Sequence, residues 1–335
     1  MNRLVSHITD SRVDSLPVER ATLDDLNLDA VEQHIARAID DDRYDGRATA
    51  VLDFLCEMRC VVEQNGHLTP TMAGLLVFGH RPQAFLEHTD IALAHFAGTR
   101  PDLVTETLHF KRYGGTLPQQ IDEVEKYLWS QTRRAISTGM GAQREERPDY
   151  PRKALRELTA NAVTHRDYNL VGSRTQIAMF TDRIEWRSPG GLPEGMTEEN
   201  ILFSGSNARN PTIAQLLYQA RYIEAYGLGL PTVIRLIKEY HLPPLGLHDT
   251  GAALIVTLRG PDAPNVLMLS APRRALLEFA QRHHQFTLEQ ALEASPSRAR
   301  RTVQADLKYL VEHHFLRAVG QSHARLYILE DEADY

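Results

Sequence analysis

No stretch of this chain comes near the roughly 20 consecutive apolar residues that a membrane-spanning helix needs. The amino terminus, MNRLVSHITDSRVDS, has no apolar centre of the kind an export signal carries. Cysteine is scarce: Cys56 and Cys60 are the only two in 335 residues. A CxxxC pair with no second pair supplies neither a disulfide framework nor a four-thiolate metal site. The expectation is two buried thiols on one helical face. Positive charge is not in excess, since 37 Lys and Arg stand against 44 Asp and Glu, a formal net charge of -7. That excludes a protein basic throughout and leaves room for a local basic patch. Internal repeats and low-complexity tracts are missing as well. What these absences leave is a soluble chain, most simply cytoplasmic, with no membrane partner and length enough for two or three domains.

The most informative stretch is Ala154–Tyr168, ALRELTANAVTHRDY. Leu155, Leu158, Thr159 and Ala162 recur at i, i+3, i+4 and i+7 and predict one apolar helical stripe. Glu157, Asn161 and His165 recur every fourth residue and line up on a different face. Pro151 precedes the stretch, where proline suits a helix start. A carboxylate, a carboxamide and an imidazole in a row can hold a hydrated metal ion and its phosphate cargo. Taken alone, the same row is an ordinary solvated face.

Ahead of that helix, residues 1–20 read as irregular. Thr22–Asp40 reads as a capped helix, with Asp29 the N-cap of Ala30–Ile39, and a second helix spans Arg47–Met58. Thr69 is placed to cap an apolar helix over Met72–Phe78. Asp90–Ala97 and Thr105–Lys111 alternate as strands do. Leu117–Ile136 reads as one long amphipathic helix, with Ile121, Val124, Leu128 and Ala135 near one face. After it, Thr175–Phe180 and Ile184–Trp186 form a hairpin that ends in SPGGLPEG, rich in residues that fix or free the backbone. Thr197–Phe203 reads as a short helix, Ser204–Pro211 as a polar loop and Thr212–Tyr218 as a helix. Gly227-Leu228-Gly229 opens a helix over Pro231–Tyr240, and Leu245–His248 with Ala253–Leu258 closes the region as a hairpin. The run Gly260–Pro264 is a linker by composition.

The tail has its own pattern. Helices are expected at Pro272–Gln281, Thr287–Glu293 and Arg298–His313, then strands at Phe315–Val319 and Arg325–Leu329. Three helices and a two-stranded wing is the winged helix-turn-helix pattern, whose third helix enters the major groove of double-stranded DNA. Arg298, Arg300 and Arg301 at the start of that helix, with Arg325 on the wing and Lys308 further along, are the candidate DNA-binding residues. Asp306 and Glu312 dilute their charge, so modest, salt-sensitive binding is expected. Many such modules bind protein instead.

Three elements come in a fixed order: the ExxxN helix, a strand ending in PGG, and GLGL opening a helix. A helix amino terminus with glycines suits phosphate. In that order the middle of the chain resembles the Bergerat-fold (GHKL) ATP-binding superfamily of gyrase B, the MutL repair proteins and sensor histidine kinases. EL-x-x-NAV-x-HRDY, DRIE-x-x-SPGGLP, RNP and IEAYGLGLP resemble more closely one bacterial branch, whose members are labelled as related to the RecG helicase or as transcriptional regulators. The resemblance runs from about Arg12 through the tail.

It implies an α+β protein of three parts. These are an N-terminal mixed α/β region (1–115), a Bergerat-type ATP-binding α/β sandwich (116–262) and a C-terminal winged helix-turn-helix (266–330). It also implies ATP and Mg2+ as cofactors, with Asn161 as the metal ligand and Glu157 orienting or deprotonating the attacking water if hydrolysis occurs. His165 would sit near the phosphates with Arg166 or Asp167, and Gly190 and Gly191 against adenine and ribose. Ser204–Asn210 would be a lid with Arg209 touching phosphate, and Gly227 and Gly229 would meet the triphosphate. The superfamily's adenine-reading aspartate falls at Ser188, and the second glycine of that box falls at Leu192. Relatives usually begin with an Alba- or Schlafen-type domain, and this chain starts at what resembles the connector after it. No GxxxxGK[ST] loop is present to support helicase activity. Superfamily members often dimerise on binding nucleotide, so a homodimer is implied. The function expected is a nucleotide-regulated DNA-binding protein, a transcriptional regulator. The alternatives are a slow ATPase driving a partner in genome maintenance or defence against foreign DNA, and a scaffold with a decayed nucleotide site.

Overall fold

The computed structural model describes residues 13–64, 66–99, 107–138, 144–193, 195–201, 208–224, 227–261, 269–283, 285–312, 315–320 and 325–329. The chain divides into two compact units between Leu258 and Arg259.

The first unit opens with α1 (Leu28–Asp40), α2 (Val51–Glu57), the hairpin β1 (Val61–Gln64) and β2 (His67–Pro70), and α3 (Met72–Phe78). Asn27, not Asp29, caps α1, its side chain accepting from the Ala30 amide at 3.0 Å. Thr22 instead closes a short 3-10 turn over Leu23–Asp25. Thr71, not Thr69, caps α3; Thr69 is spent inside β2, where the turn at Gly66 sets the register. Of the two cysteines, Cys60 is buried but Cys56 on α2 is exposed, so one of the expected buried thiols faces solvent.

Next come β3 (Ile91–Phe96), β4 (Thr107–Tyr113), α4 (Leu117–Gln131), β5 (Arg134–Thr138), β6 (Arg144–Pro148) and α5 (Arg152–Thr164). Helix α4 ends five residues short of the expected Ile136. Its last turn closes on Thr132, whose hydroxyl donates to Leu128 O at 2.9 Å, and the chain leaves as β5, paired with β6. Its core face is as the spacing indicates, with Ile121, Val124 and Leu128 fully buried.

The unit is completed by β7 (Thr175–Met179), β8 (Arg183–Pro189), α6 (Pro211–Gln219), α7 (Gly229–Glu239), β9 (Gly246–Asp249) and β10 (Ala253–Arg259). Residues 197–201 form a turn rather than the start of a helix, because the Thr197 and Asn200 side chains bond back to the local backbone.

One mixed six-stranded sheet, ordered β4-β3-β7-β8-β10-β9, organises this unit. Strands β3 and β7 run parallel, while β3–β4, β7–β8 and β9–β10 are antiparallel. Ile177 and Met179 of β7, with Ile184 and Trp186 of β8, share one face of the pleat. That face packs under α5, whose Leu155, Leu158 and Ala162 are buried. Trp186 Nε1 donates to Thr159 Oγ1 at 3.0 Å, so the largest side chain of the core also fixes the height of α5 over β8. Burial of each such large apolar side chain contributes about 1.5–3 kcal/mol. Among the described residues, no helix is long and apolar enough to cross a membrane.

The second unit consists of α8 (Ala271–His283), β11 (Gln285–Thr287), α9 (Leu288–Glu293), α10 (Arg300–Glu312), β12 (Leu316–Val319) and β13 (Leu326–Leu329). Its sheet has three strands, ordered β11-β13-β12, so β11 adds a strand that the alternation in the sequence is too short to reveal. A separate core of Leu276, Ala280, Phe286, Val303, Leu307 and Leu316 closes it.

Candidate functional site

A cleft in the first unit holds about 1190 Å3 of space, open solvent at its mouth included. Helix α5 supplies its floor, the end of β8 with the following PGGL turn one wall, and the start of α7 another. Most of the residues expected at a nucleotide site converge here: Glu157, Asn161, His165, Ser188, Gly190, Gly191, Arg209, Gly227 and Gly229 line it, whereas Asp167 does not and pairs instead with Arg209.

Glu157 is the most unusual of them. It is only 4% exposed, so the carboxylate row is not a solvated face. Burial pushes its pKa up to about 7; a hydrogen bond from Asn161 opposes that, and the charge of Glu224 adds to it. Asn161 Nδ2 donates to Glu157 Oε1 at 3.3 Å, one helical turn away, which leaves Asn161 Oδ1 as the acceptor turned elsewhere. Lys153 and Arg43 hold Glu224 at 2.7 and 3.8 Å, so a salt-bridged acid stands beside the buried one.

Gly229 is the first residue of α7, and a Cβ there would lie 1.9 Å from Glu157 Oε1 and 3.5 Å from Asn161 Nδ2. Only glycine lets α7 approach α5 this closely. Leu228 at the N-cap supplies no capping side chain, and among the described residues no side chain is seen to cap α7, which leaves the first N–H groups of an 11-residue helix for a ligand. Gly227 sits just before, in the left-handed region at φ +72°.

The opposite wall is equally tight. Gly190 has φ +95°, and a Cβ on it would lie 2.0 Å from Arg209 Nη1 and 2.6 Å from the Asp167 side chain. Gly191 lies against Asp249 and Gly251. Asp249 accepts from the Leu192 amide at 2.9 Å and the Gly251 amide at 2.8 Å, locking the PGGL turn to the β9–β10 hairpin. Ser188 is buried, and its hydroxyl donates to Ala162 O at 2.7 Å. With its proton so engaged, the oxygen can present only lone pairs to anything in the cleft.

Arg209 Nη1 stands 3.3 Å from Asp167 Oδ2, and its Nη2 donates to Gly191 O at 2.5 Å. Its guanidinium is thus held by the cleft's own wall. His165 follows the last turn of α5 as its C-cap and is exposed to solvent, although protein surrounds much of its ring. The surrounding protein and then the Arg209 charge lower its pKa, so the imidazole is neutral at pH 7. Residues 204–207 of the expected lid lie outside the described residues; Ala208, Arg209 and Asn210 lie within them.

Several supports of the site carry no local signal in the sequence. Asp14, fully buried in the stretch read as irregular, accepts from the Thr212 and Ile213 amides at 2.7 and 3.0 Å and caps α6. Asn210 Nδ2 donates to Thr164 O and Arg166 O, both at 2.8 Å, tying the end of α5 to the start of α6. The RNP string was a usable clue to Asn210. Nothing short of the fold pairs Asp14 with α6.

In the second unit the four candidate DNA-binding arginines are not equivalent. Arg298 donates to Asp306, as does Arg273 at 2.8 Å. Burial alone would raise the Asp306 carboxyl, but those hydrogen bonds outweigh it and hold it below the ordinary range. Arg300 pairs with Glu289 at 2.8 Å. Arg301 and Arg325 are exposed, and no ion pair is seen for either among the described residues.

Comparison with known proteins bears on the first unit. Residues 172–258 match a family described as "Putative ATP-dependent DNA helicase recG C-terminal", and residues 2–91 match a domain of unknown function. No curated protein matches the chain. Among solved structures, the DIP2311 protein from Corynebacterium diphtheriae is similar with a TM-score of 0.56 and 19% identity. The match covers 95% of this chain but only 64% of that one, and at this identity it speaks to fold alone. The mixed six-stranded sheet and the match over 172–258 give the chain an ATPase-like fold, which suggests nucleotide binding.

Proposed function

We propose that this is an ATP-binding protein of the Bergerat (GHKL) type whose nucleotide site is the cleft over α5, and that nucleotide regulates binding to double-stranded DNA. The observation that carries the reading is the meeting of Glu157, Asn161 and the glycine-opened start of α7 at one point of the cleft. A triphosphate placed there would have the uncapped N–H groups of α7 and, on leaving Asp167, the guanidinium of Arg209. Gly190 and Gly191 leave room for the adenosine, and the Ser188 oxygen has the acceptor polarity that an adenine amino group requires.

The donor set suits a magnesium ion that arrives with phosphate. Asn161 Oδ1 is the protein ligand on offer, and no cluster of three or more His, Cys, Asp or Glu among the described residues would hold an ion alone. Mg2+ characteristically keeps waters and takes few protein ligands beside substrate phosphates. When bound, the ion would neutralise phosphate charge. The parts of the chain in this reading are 1–115, whose β3 and β4 join the sheet of the next part, 116–262, and a winged helix-turn-helix at 266–330. Arg301 and Arg325 are its open DNA contacts, while Arg298 and Arg300 are engaged by Asp306 and Glu289. The active assembly is a homodimer in the cytoplasm.

One observation favours a second reading, a slow ATPase that drives a partner. Glu157 is a buried carboxyl with a pKa of about 7 beside the start of α7, and such a group can take a proton from an attacking water. Phosphate release and Mg·ATP binding, measured on wild type and Glu157→Ala, separate the two. Binding kept with turnover lost supports both the cleft and the ATPase. Binding kept with no turnover in either protein leaves the regulatory role. Loss of binding in Glu157→Ala counts against the role given to that residue.

A further inference from the structure

His165 lines the nucleotide cleft, yet the next residue of the same turn faces another hollow. This second space, about 900 Å3 with its open side included, is bounded by Arg20, Met72, Phe85, His88, Arg166 and Tyr168. Arg166 is only 2% exposed. Its Nη2 donates to Ser173 O at 2.6 Å and its guanidinium lies 4.7 Å over the Tyr168 ring, but its Nε meets no hydrogen-bond partner. Asp90 Oδ2, Arg174 Nε and Thr175 Oγ1 are buried beside it in the same condition. Four of the seven such atoms found among the described residues therefore gather at the starts of β3 and β7 and the turn beside them.

The charges do not balance. Asp90 Oδ1 stands 3.4 Å from Arg174 Nε, and Arg174 also meets His88. Asp167 is engaged with Arg209. Among the described residues, no carboxylate stands at ion-pair distance from Arg166. The nearest carboxylates, Asp90 and Asp167, are shared with Arg174 and Arg209, so the buried guanidinium is only partly neutralised; that is expensive, and its planar donors match an oxyanion. The rim carries one carboxylate, Glu87, and the exposed Arg20.

We propose that this hollow is a second ligand site, taking the phosphate or carboxylate group of a small anion on Arg166, with Arg20 at the entrance. The anion completes the charge of the cluster and seats against the turn that also carries His165 and Asp167.

The test is thermal unfolding of the full chain in sodium phosphate or sodium succinate at constant ionic strength, with chloride as the reference. Wild type, Asn161→Ala, Arg20→Ala and Arg166→Gln are compared. The midpoint of wild type and of Asn161→Ala should rise with anion concentration. Apparent affinity should fall a few-fold in Arg20→Ala and at least tenfold in Arg166→Gln. Should Arg166→Gln fail to fold, Arg166→Lys, which keeps the charge but loses the planar fork, should show the same tenfold loss. A larger response to phosphate than to succinate assigns the site to a phosphate group, and the reverse to a carboxylate. No response in wild type overturns the proposal, and solvent then fills the hollow. A response lost in Asn161→Ala but kept in Arg166→Gln also overturns it, since the anion is then in the nucleotide cleft.

Discussion

Gly229 and Glu157 are in contact across the cleft floor, so close that a single added carbon on Gly229 would lie 1.9 Å from the carboxylate. This contact brings the open end of α7 over the ExxxN face of α5. It explains why a glycine stands at the first position of a helix, where it costs backbone entropy. Gly229→Ala should therefore force α7 away from α5. The expected cost is about 1–3 kcal/mol of stability, typical of overpacking, together with loss of Mg·ATP binding. Urea unfolding and calorimetry on the variant check both.

Glu157 makes stability depend on pH. Its pKa is raised to about 7 in the folded chain from an ordinary value of 4.5, so the folded state binds the extra proton between those values. The contribution is full below about pH 4.5 and is lost as pH rises through 7. Unfolding free energy should fall by up to about 3 kcal/mol across that window relative to Glu157→Gln. Urea titrations of both proteins at pH 5 and pH 8 measure the difference directly; parallel behaviour would place the Glu157 carboxyl in solvent.

Arg209 is held by Asp167 and by Gly191 O. If its role is to meet phosphate, it must leave Asp167 first. Asp167→Asn keeps the oxygen that accepts from the Asn169 amide but removes the charge. Binding of Mg·ATP should strengthen a few-fold in this variant and weaken in Arg209→Ala. Weaker binding in Asp167→Asn would mean that the aspartate itself serves the ligand.

The arginines of the second unit should separate by role. Arg301→Ala should weaken binding to duplex DNA and reduce the salt slope by about 0.9, the amount for one lost phosphate contact. Arg298→Ala should instead cost about 2 kcal/mol of stability, because it strips a charged hydrogen bond from Asp306. Fluorescence anisotropy over a salt series, with thermal unfolding of each variant, distinguishes them.

Much of this was legible in the sequence where signals are local. The 3.6-residue period marked α5 and its buried stripe, and the alternation of β7 and β8 marked the strands around Trp186. What escaped is long-range. Asp14 caps a helix almost 200 residues away, so no window around it could show its role. Ala135 and Ile136 continue the apolar spacing of α4 and so extend it in the sequence, whereas pairing with β6 takes them into β5. The residues of the cleft were identified by motif, but the burial of Glu157 and the occupation of Arg209 and Arg298 by internal carboxylates are properties of packing. Charge counted along the chain cannot reveal which arginines are already paired.

The central claim is tested most directly by titrating Mg·ATP calorimetrically into the wild type and into Asn161→Ala, after confirming that the variant keeps its melting temperature. Saturable binding to the wild type that is lost in the variant is the result predicted for a nucleotide site built on α5. Absence of binding to the wild type, or equal binding to both proteins, would contradict it.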